Sequence, residues 1–139
     1  MERNKTILLV EDSDKDAELI RMSLGELTVP VSVDRVRDGV EALEYLREIK
    51  GTAKNIALVL LDIKLPRMNG IEVLTQLKSD DSIRTIPVVM LTSSREERDV
   101  KECYRLGANA YVVKPVDFNE LFEALRFTGC FWCRVNETP

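Results

Sequence analysis

The sequence predicts an α/β fold, doubly wound about a five-stranded parallel sheet. Three observations predict it. Five strand-like apolar runs alternate with five segments of helical periodicity along 139 residues, the pattern that repeated β-α units make around a parallel sheet. The first and third runs are the most apolar, as central strands should be, and the second is the most polar, as an edge strand should be. The first, third, fourth and fifth runs each stop on polar residues, so a parallel arrangement gathers polar side chains on one edge of the sheet.

The elements follow in order. "TILLV" (6–10) is an apolar, β-branched first strand. Ala17, Ile20, Leu24 and Leu27 then recur at helical spacing behind Ser13 as N-cap, and Gly25 or the stretch to Pro30 ends that helix. "VSVDRV" (31–36) alternates as an edge strand does. Asp38 with Glu41 has capping-box spacing and opens a helix on Val40, Leu43 and Leu46 that runs out near Gly51. "NIALVLLD" (55–62) is the third strand, Pro66 to Gly70 a loop, and Ile71, Leu74 and Leu77 mark the third helix. "IPVVMLT" (86–92) is the fourth strand; Ser94 with Glu97 is the expected cap of a helix that stops at Gly107. "AYVVK" (110–114) is the fifth strand, and Asp117 with Glu120 caps a last helix carrying Phe118, Leu121 and Leu125. Right-handed crossovers leave few topologies for five such units, and the flavodoxin-like order 2-1-3-4-5 is expected. No further repeat, low-complexity segment or linker interrupts the pattern. A single domain over 1–139 is expected, with a core of 5–128 and a C-terminal extension of 129–139.

Composition narrows the function. Apolar residues make up 45% and charged residues 32%, an ordinary globular balance. No apolar run approaches the roughly 20 residues of a membrane-spanning helix. The opening "MERNKTILLVEDSD" is too polar for a signal peptide, so a cytoplasmic protein is expected. A net charge of −4 supplies no basic surplus for nucleic acid. The chain has no His, which excludes Ser–His catalysis, imidazole zinc sites and a phosphohistidine of its own; any His chemistry must come from a partner. Three Cys make no disulfide framework. Cys130 and Cys133 form one C-x-x-C without the further ligands of a structural zinc site, and near the C-terminus rather than opening a helix after a strand; they are expected to pack the tail.

The carboxyl ends of parallel strands bring Glu11, Asp12, Asp62, Thr92, Ser93 and Lys114 to one cleft, where strands 1 and 3 diverge. Three carboxylates there repel one another unless something cationic holds them. Oxygen ligands without His or Cys select a hard cation, Mg²⁺ or Mn²⁺, and one or two carboxylates plus a backbone carbonyl suffice. Lys114 adds a mobile point charge, Thr92 a hydroxyl, and the backbone N–H of Ser93 a donor. Together these are the parts for phosphoryl transfer to a carboxylate, with Asp62 as the natural nucleophile.

Four blocks, "LLVEDSD", "LLDIKLPRMNG", "VVMLTSS" and "GANAYVVKPVD", resemble the receiver domains of two-component response regulators, in order and at the expected spacing. The resemblance covers residues 5 to about 127. It implies Asp62 as phosphoacceptor, receiving its phosphoryl from a sensor histidine kinase. It implies Asp12 as the more direct Mg²⁺ ligand, Glu11 acting through water, and the backbone carbonyl of Lys64 as a further ligand. It implies Thr92 as the hydroxyl switch, Tyr111 as the rotating aromatic and Lys114 as the phosphate-pairing lysine. It implies a cis peptide before Pro115, aiming Lys114 into the cleft, and places Lys64 and Ser94 where this family tunes the access of hydrolytic water. On phosphorylation the surface of helix 4, strand 5 and helix 5 would change and pass the signal to a downstream protein. About five extra residues around "REIKGTAKN" and the closing "GCFWCRVNETP" resemble the single-domain regulators that partner phytochrome-type kinases in cyanobacteria and similar organisms.

Other readings are weaker on specific residues. A dehalogenase-like phosphatase wants an Asp two positions after its nucleophile, where this chain has Lys64. A nucleotide or flavin binder wants a phosphate-cradling loop after strand 1, where "EDSDKD" is acidic. A phosphorylation-independent, receiver-like interaction module is the alternative within the family, and the complete set of site residues argues against it. Taken singly, Asp12 is a helix-start carboxylate, Asp62 a loop cap, Thr92 a strand residue, Tyr111 a core aromatic and Lys114 a surface lysine; their joint placement at strand ends selects the functional reading. Phe131 and Trp132 either pack back on the domain or serve a homodimer or a docking kinase, and a homodimer through helix 4, strand 5 and helix 5 is the other self-association open to the chain.

Overall fold

The computed structural model describes residues 5–27, 30–50, 52 and 54–138. Five strands, β1 (Lys5–Val10), β2 (Val31–Val36), β3 (Asn55–Leu61), β4 (Val88–Thr92) and β5 (Ala110–Val113), alternate with α1 (Asp14–Gly25), α2 (Gly39–Glu48), α3 (Gly70–Ser79), α4 (Glu97–Arg105) and α5 (Phe118–Cys130). The sheet order is β2-β1-β3-β4-β5, all pairs parallel, so every strand presents its carboxyl end to the same edge.

Alternation along the central strands divides the core in two. Leu8, Val10, Val59, Leu61, Val88 and Met90 face α2, α3 and α4, where Leu43, Leu46, Leu74, Leu77 and Cys103 close that layer. Ile7, Leu9, Leu58, Leu60, Val89 and Leu91 face α1 and α5, meeting Ile20, Leu24, Leu121 and Leu125. Strands covered on both faces bury successive residues, which is why β1 and β3 read as unbroken apolar runs. The edges β2 and β5 are only half-buried.

Caps place most helix starts. Asp16 N–H donates to Ser13 Oγ (3.2 Å), Glu41 N–H to Asp38 Oδ1 (2.9 Å) and Glu120 N–H to Asp117 Oδ1 (3.0 Å), as the spacing predicts. Asn69 caps α3 in the same way, a cap not foreseen from the sequence. The expected Ser94 cap of α4 is corrected: Glu96 is the N-cap and makes no side-chain cap bond. Ser94 Oγ, in the preceding loop, instead donates to Asp99 Oδ2 in the first turn of α4 (2.6 Å). Gly107, at φ 106°, ends α4, with Ala108 N–H returning to Cys103 O, the left-handed C-terminal turn that favours glycine. β4 begins at Val88 rather than residue 86, because Pro87 has no N–H for the ladder.

After α5 the chain tightens into a π-helical turn, Phe131–Val135. Cys133 enters the α1/α5 side of the core and Trp132 packs against it, while Phe131 stays half-exposed, edge-on to Trp132. All three cysteines are free, and burial pushes the Cys133 thiol up to about 11. Of the extra residues between α2 and β3, 51 and 53 lie outside the described residues.

Candidate functional site

Lys114 follows β5 directly and continues its ladder, its N–H donating to Thr92 O at 2.8 Å. Its side chain ends among carboxylates that follow β1 and β3 and one from the first turn of α1. Lys114 Nζ lies 2.7 Å from Glu11 Oε1, 2.9 Å from Asp62 Oδ2 and 3.2 Å from Asp16 Oδ2. The four side chains are 12%, 4%, 12% and 34% exposed in that order, so the ammonium is the buried counter-charge of the cleft. Burial alone would lower the Lys114 pKa; the hydrogen bonds it donates to Glu11 and Asp62 outweigh burial and hold the ammonium above the ordinary lysine range.

The expected cis peptide before Pro115 is corrected. No peptide bond among the described residues is cis. The trans form is the ordinary preference of an X–Pro bond, by about 0.5–1 kcal/mol, and Lys114 reaches Asp62 with it.

Local backbone holds each carboxylate in place. Glu11 Oε2 accepts Ser13 N–H at 3.1 Å and Asp62 Oδ1 accepts Ile63 N–H at 2.7 Å. The acidic loop is also gripped from β2. The Arg35 guanidinium donates to the Glu11 carbonyl through Nε (3.0 Å) and Nη2 (2.9 Å), to the Asp12 carbonyl (3.2 Å) and to Asp14 Oδ1 (2.7 Å). On the other side, Arg67, the one non-glycine residue with positive φ among those described (63°), forks onto Asp38 at 3.0 and 3.1 Å. That latch ties the β3–α3 loop to the start of α2. The backbones meet so closely there that a Cβ at Gly39 would overlap the Met68 carbonyl oxygen, and one at Gly70 the Asp62 carbonyl oxygen.

A short chain of bonds leads from the cleft to α4. Thr92, fully buried, accepts Ser94 N–H at its hydroxyl (3.3 Å). Half-buried Tyr111 donates its hydroxyl to the Ser94 carbonyl (3.0 Å), and the Ser94 hydroxyl donates to Asp99 of α4 (2.6 Å). One residue, Ser94, therefore touches Thr92, Tyr111 and α4. Ser93, Asp12 and Lys64 are exposed at the mouth.

Residues 7–126 match the response regulator receiver domain. The chain belongs to that family. It is a receiver domain of two-component signalling. It is similar to the phosphorylated cyanobacterial phytochrome response regulator RcpA, with a TM-score of 0.92 at 40% identity over 99% of both chains. Rcp1 of a Synechocystis strain is 36% identical over 97% of this chain and 93% of its own; its Mn²⁺-bound crystal structure superposes with a TM-score of 0.90, at 35% identity over 97% and 99% of the two chains. The bacteriophytochrome response regulator AtBRR is 48% identical over 98% of this chain and all of its own, with a TM-score of 0.74.

Receiver domains bind a divalent metal, and the donors here suit one in kind: Asp12, Glu11, Asp62 and the Lys64 carbonyl are all oxygens, which hard cations prefer. Among the described residues no three Asp, Glu, His or Cys side chains converge closely enough to enclose an ion. Mg²⁺ needs no such cage, because it keeps several waters and takes one or two carboxylates.

Of the residues expected at the site, the structure joins Glu11, Asp62 and Lys114 directly, links Thr92 and Tyr111 through Ser94, and leaves Asp12, Ser93 and Lys64 at the mouth. Asp16, Arg35 and Arg67 were missed. Asp16 stands at the third helical position behind Ser13, which reads as a capping carboxylate; Arg35 and Arg67 read as surface cations. None carried a local signal of its partner, 98 residues away for Asp16, 24 for Arg35 and 29 for Arg67.

Proposed function

We propose that this receiver domain is a phosphorylation-driven switch whose acceptor is Asp62. The observation that carries the reading is the pairing of Asp62 with Lys114 at 2.9 Å beside buried Glu11, at the carboxyl edge of the sheet. An Asp62 carboxylate oxygen attacks the phosphorus of a partner's phosphohistidine. The P–N bond breaks and its electron pair stays with the imidazole, which takes a proton. Asp12, Asp62 and the Lys64 carbonyl would hold Mg²⁺ or Mn²⁺, with Glu11 acting through water; the cation, when bound, neutralises charge on the transferring group. Lys114 pairs with the phosphoryl oxygens and the Ser93 N–H donates to one of them. Thr92 turns its hydroxyl to the acyl phosphate and releases Ser94 N–H. Tyr111, bonded to the same residue, then loses its seat and moves inward, changing the α4–β5–α5 surface.

The partners are a sensor histidine kinase, of phytochrome type given the neighbours, and a downstream protein that reads the altered surface. The chain acts in the cytoplasm, and the π-helical turn Phe131–Val135 after α5 packs back on this receiver domain. Incubation with a small acyl-phosphate donor and Mg²⁺ tests the reading by intact mass. One phosphoryl group is expected on the wild type, and none in Asp62→Ala or with a chelator. Uptake that persists in Asp62→Ala would move the acceptor elsewhere; no uptake by the wild type would leave the phosphorylation-independent module.

A further inference from the structure

We propose that Asp16 is a positioning residue for Lys114: it receives the ammonium when Glu11 and Asp62 turn to a bound divalent cation. The inference rests on the metal-binding reading above. Lys114 Nζ has three carboxylate partners, and only Asp16 has no part in holding metal or phosphoryl. A cation bound between Asp12 and Asp62 opposes an ammonium a few ångströms away, since like charges in a partly buried cleft are poorly screened. The ammonium must give up Asp62 and Glu11 or weaken the metal. Its side chain is 12% exposed, so retreat into water is limited.

Asp16 is built to take it. A carboxylate at the third helical position ordinarily returns to the N-cap N–H. Here Ser13 N–H donates to Glu11 Oε2 (3.1 Å), while Asp16 supplies only its own N–H to Ser13 Oγ. The Asp16 carboxylate is left free of the cap and reaches Lys114 at 3.2 Å. It is anchored in the first turn of α1 and is the longest and most solvent-facing of the three contacts.

The test is Mn²⁺ titration calorimetry on the full chain. Asp16→Asn is expected to weaken binding about fivefold, roughly 1 kcal/mol, with Asp16→Glu restoring most of it. Glu18→Gln, which removes an equal charge from exposed α1 surface, is expected to have a much smaller effect. In a Lys114→Met background, Asp16→Asn should do no more than Glu18→Gln, because no ammonium remains to be received. A readout independent of metal is the Lys114 ammonium ¹⁵N resonance in chelator: its proton exchange should quicken in Asp16→Asn. Wild-type protein that binds no Mn²⁺ would overturn the metal site and this inference with it. Wild-type protein that binds, with Asp16→Asn matching Glu18→Gln or losing equally in the Lys114→Met background, would overturn the inference alone.

Discussion

Replacing Lys114 with Met keeps most of the length of the side chain and removes the charge that Glu11 and Asp62 share. Those carboxylates are 4% and 12% exposed, so they are left desolvated and facing each other. Removing one partner of a buried ion pair costs about 3–5 kcal/mol. Glu11 keeps the Ser13 N–H and Asp62 keeps the Ile63 N–H, so the lower end, about 3 kcal/mol, is expected. A chain of this size loses roughly 3–5 °C of Tm per kcal/mol, giving a fall of about 10–15 °C in chelator at pH 7. Total stability of about 5–15 kcal/mol leaves the variant folded. A divalent cation should restore it. Mg²⁺ replaces the missing cation, so its stabilising effect is larger in Lys114→Met than in wild type. Calorimetric scans of both proteins at pH 7, with chelator and with Mg²⁺, read all four states. A Lys114→Met protein as stable as wild type in chelator would refute the claim that the ammonium holds the cleft together.

Two further predictions rest on separate observations. Gly70→Ala places a methyl against the Asp62 carbonyl oxygen, a backbone atom that cannot move aside. A loss of about 2–3 kcal/mol in urea unfolding is expected, with slower phosphoryl uptake because Asp62 is displaced; unchanged stability and uptake would refute the close approach. In alkali the signs agree across several groups. Burial and then Asp34 push Tyr45 up to about 12, Cys103 and Cys133 are pushed up to about 11, and Lys114 is held high by Glu11 and Asp62 against its burial. Each binds its proton more tightly folded than unfolded, so its contribution is complete below the unfolded pKa and is lost as pH rises through the folded one. Urea midpoints should therefore fall from about pH 8.5 upward, and Tyr45→Phe and Lys114→Met should each flatten the fall above about pH 10. Equal slopes in all three proteins would contradict the assignments.

The fold was legible because its signals are local. Runs such as "NIALVLLD" and the caps at Ser13, Asp38 and Asp117 each depend on a few neighbouring residues, and parallel pairing follows from their alternation. Where two local signals compete, the sequence misleads. Ser94 and Glu97 have capping spacing, yet Asp99 offers the Ser94 hydroxyl an acceptor at 2.6 Å and the helix starts two residues later than that cap implies. Phe118 has the right period for the core but stands at the first position of α5 and is half-exposed. The pair Phe131–Trp132 divides because a π-turn sends adjacent residues to different environments, which an α-helical period does not anticipate.

That Glu11, Asp62 and Lys114 meet at one edge of the sheet was legible in the sequence, and how their charges pair was not. Three acidic residues in one cleft require a cation, and from the sequence the requirement points to a metal. In the structure the Lys114 ammonium already meets it for Glu11 and Asp62, with Asp16 as a third partner, while Asp12 stands exposed at the mouth. A metal at the proposed site would therefore compete with the Lys114 ammonium for the same carboxylates. Its binding would be an exchange, with part of the ion's attraction offset by moving an ammonium, rather than the filling of an uncompensated acidic pocket, and the position of Lys114 would follow the occupancy of the site. Raising ionic strength separates the two cases: exposed Asp12 is screened, the buried pairs with Lys114 are not, so salt should weaken Mn²⁺ binding in wild type more than it lowers metal-free stability. A metal-free Tm that falls with salt as steeply as the Mn²⁺ affinity would show that the ammonium is not the buried partner described here.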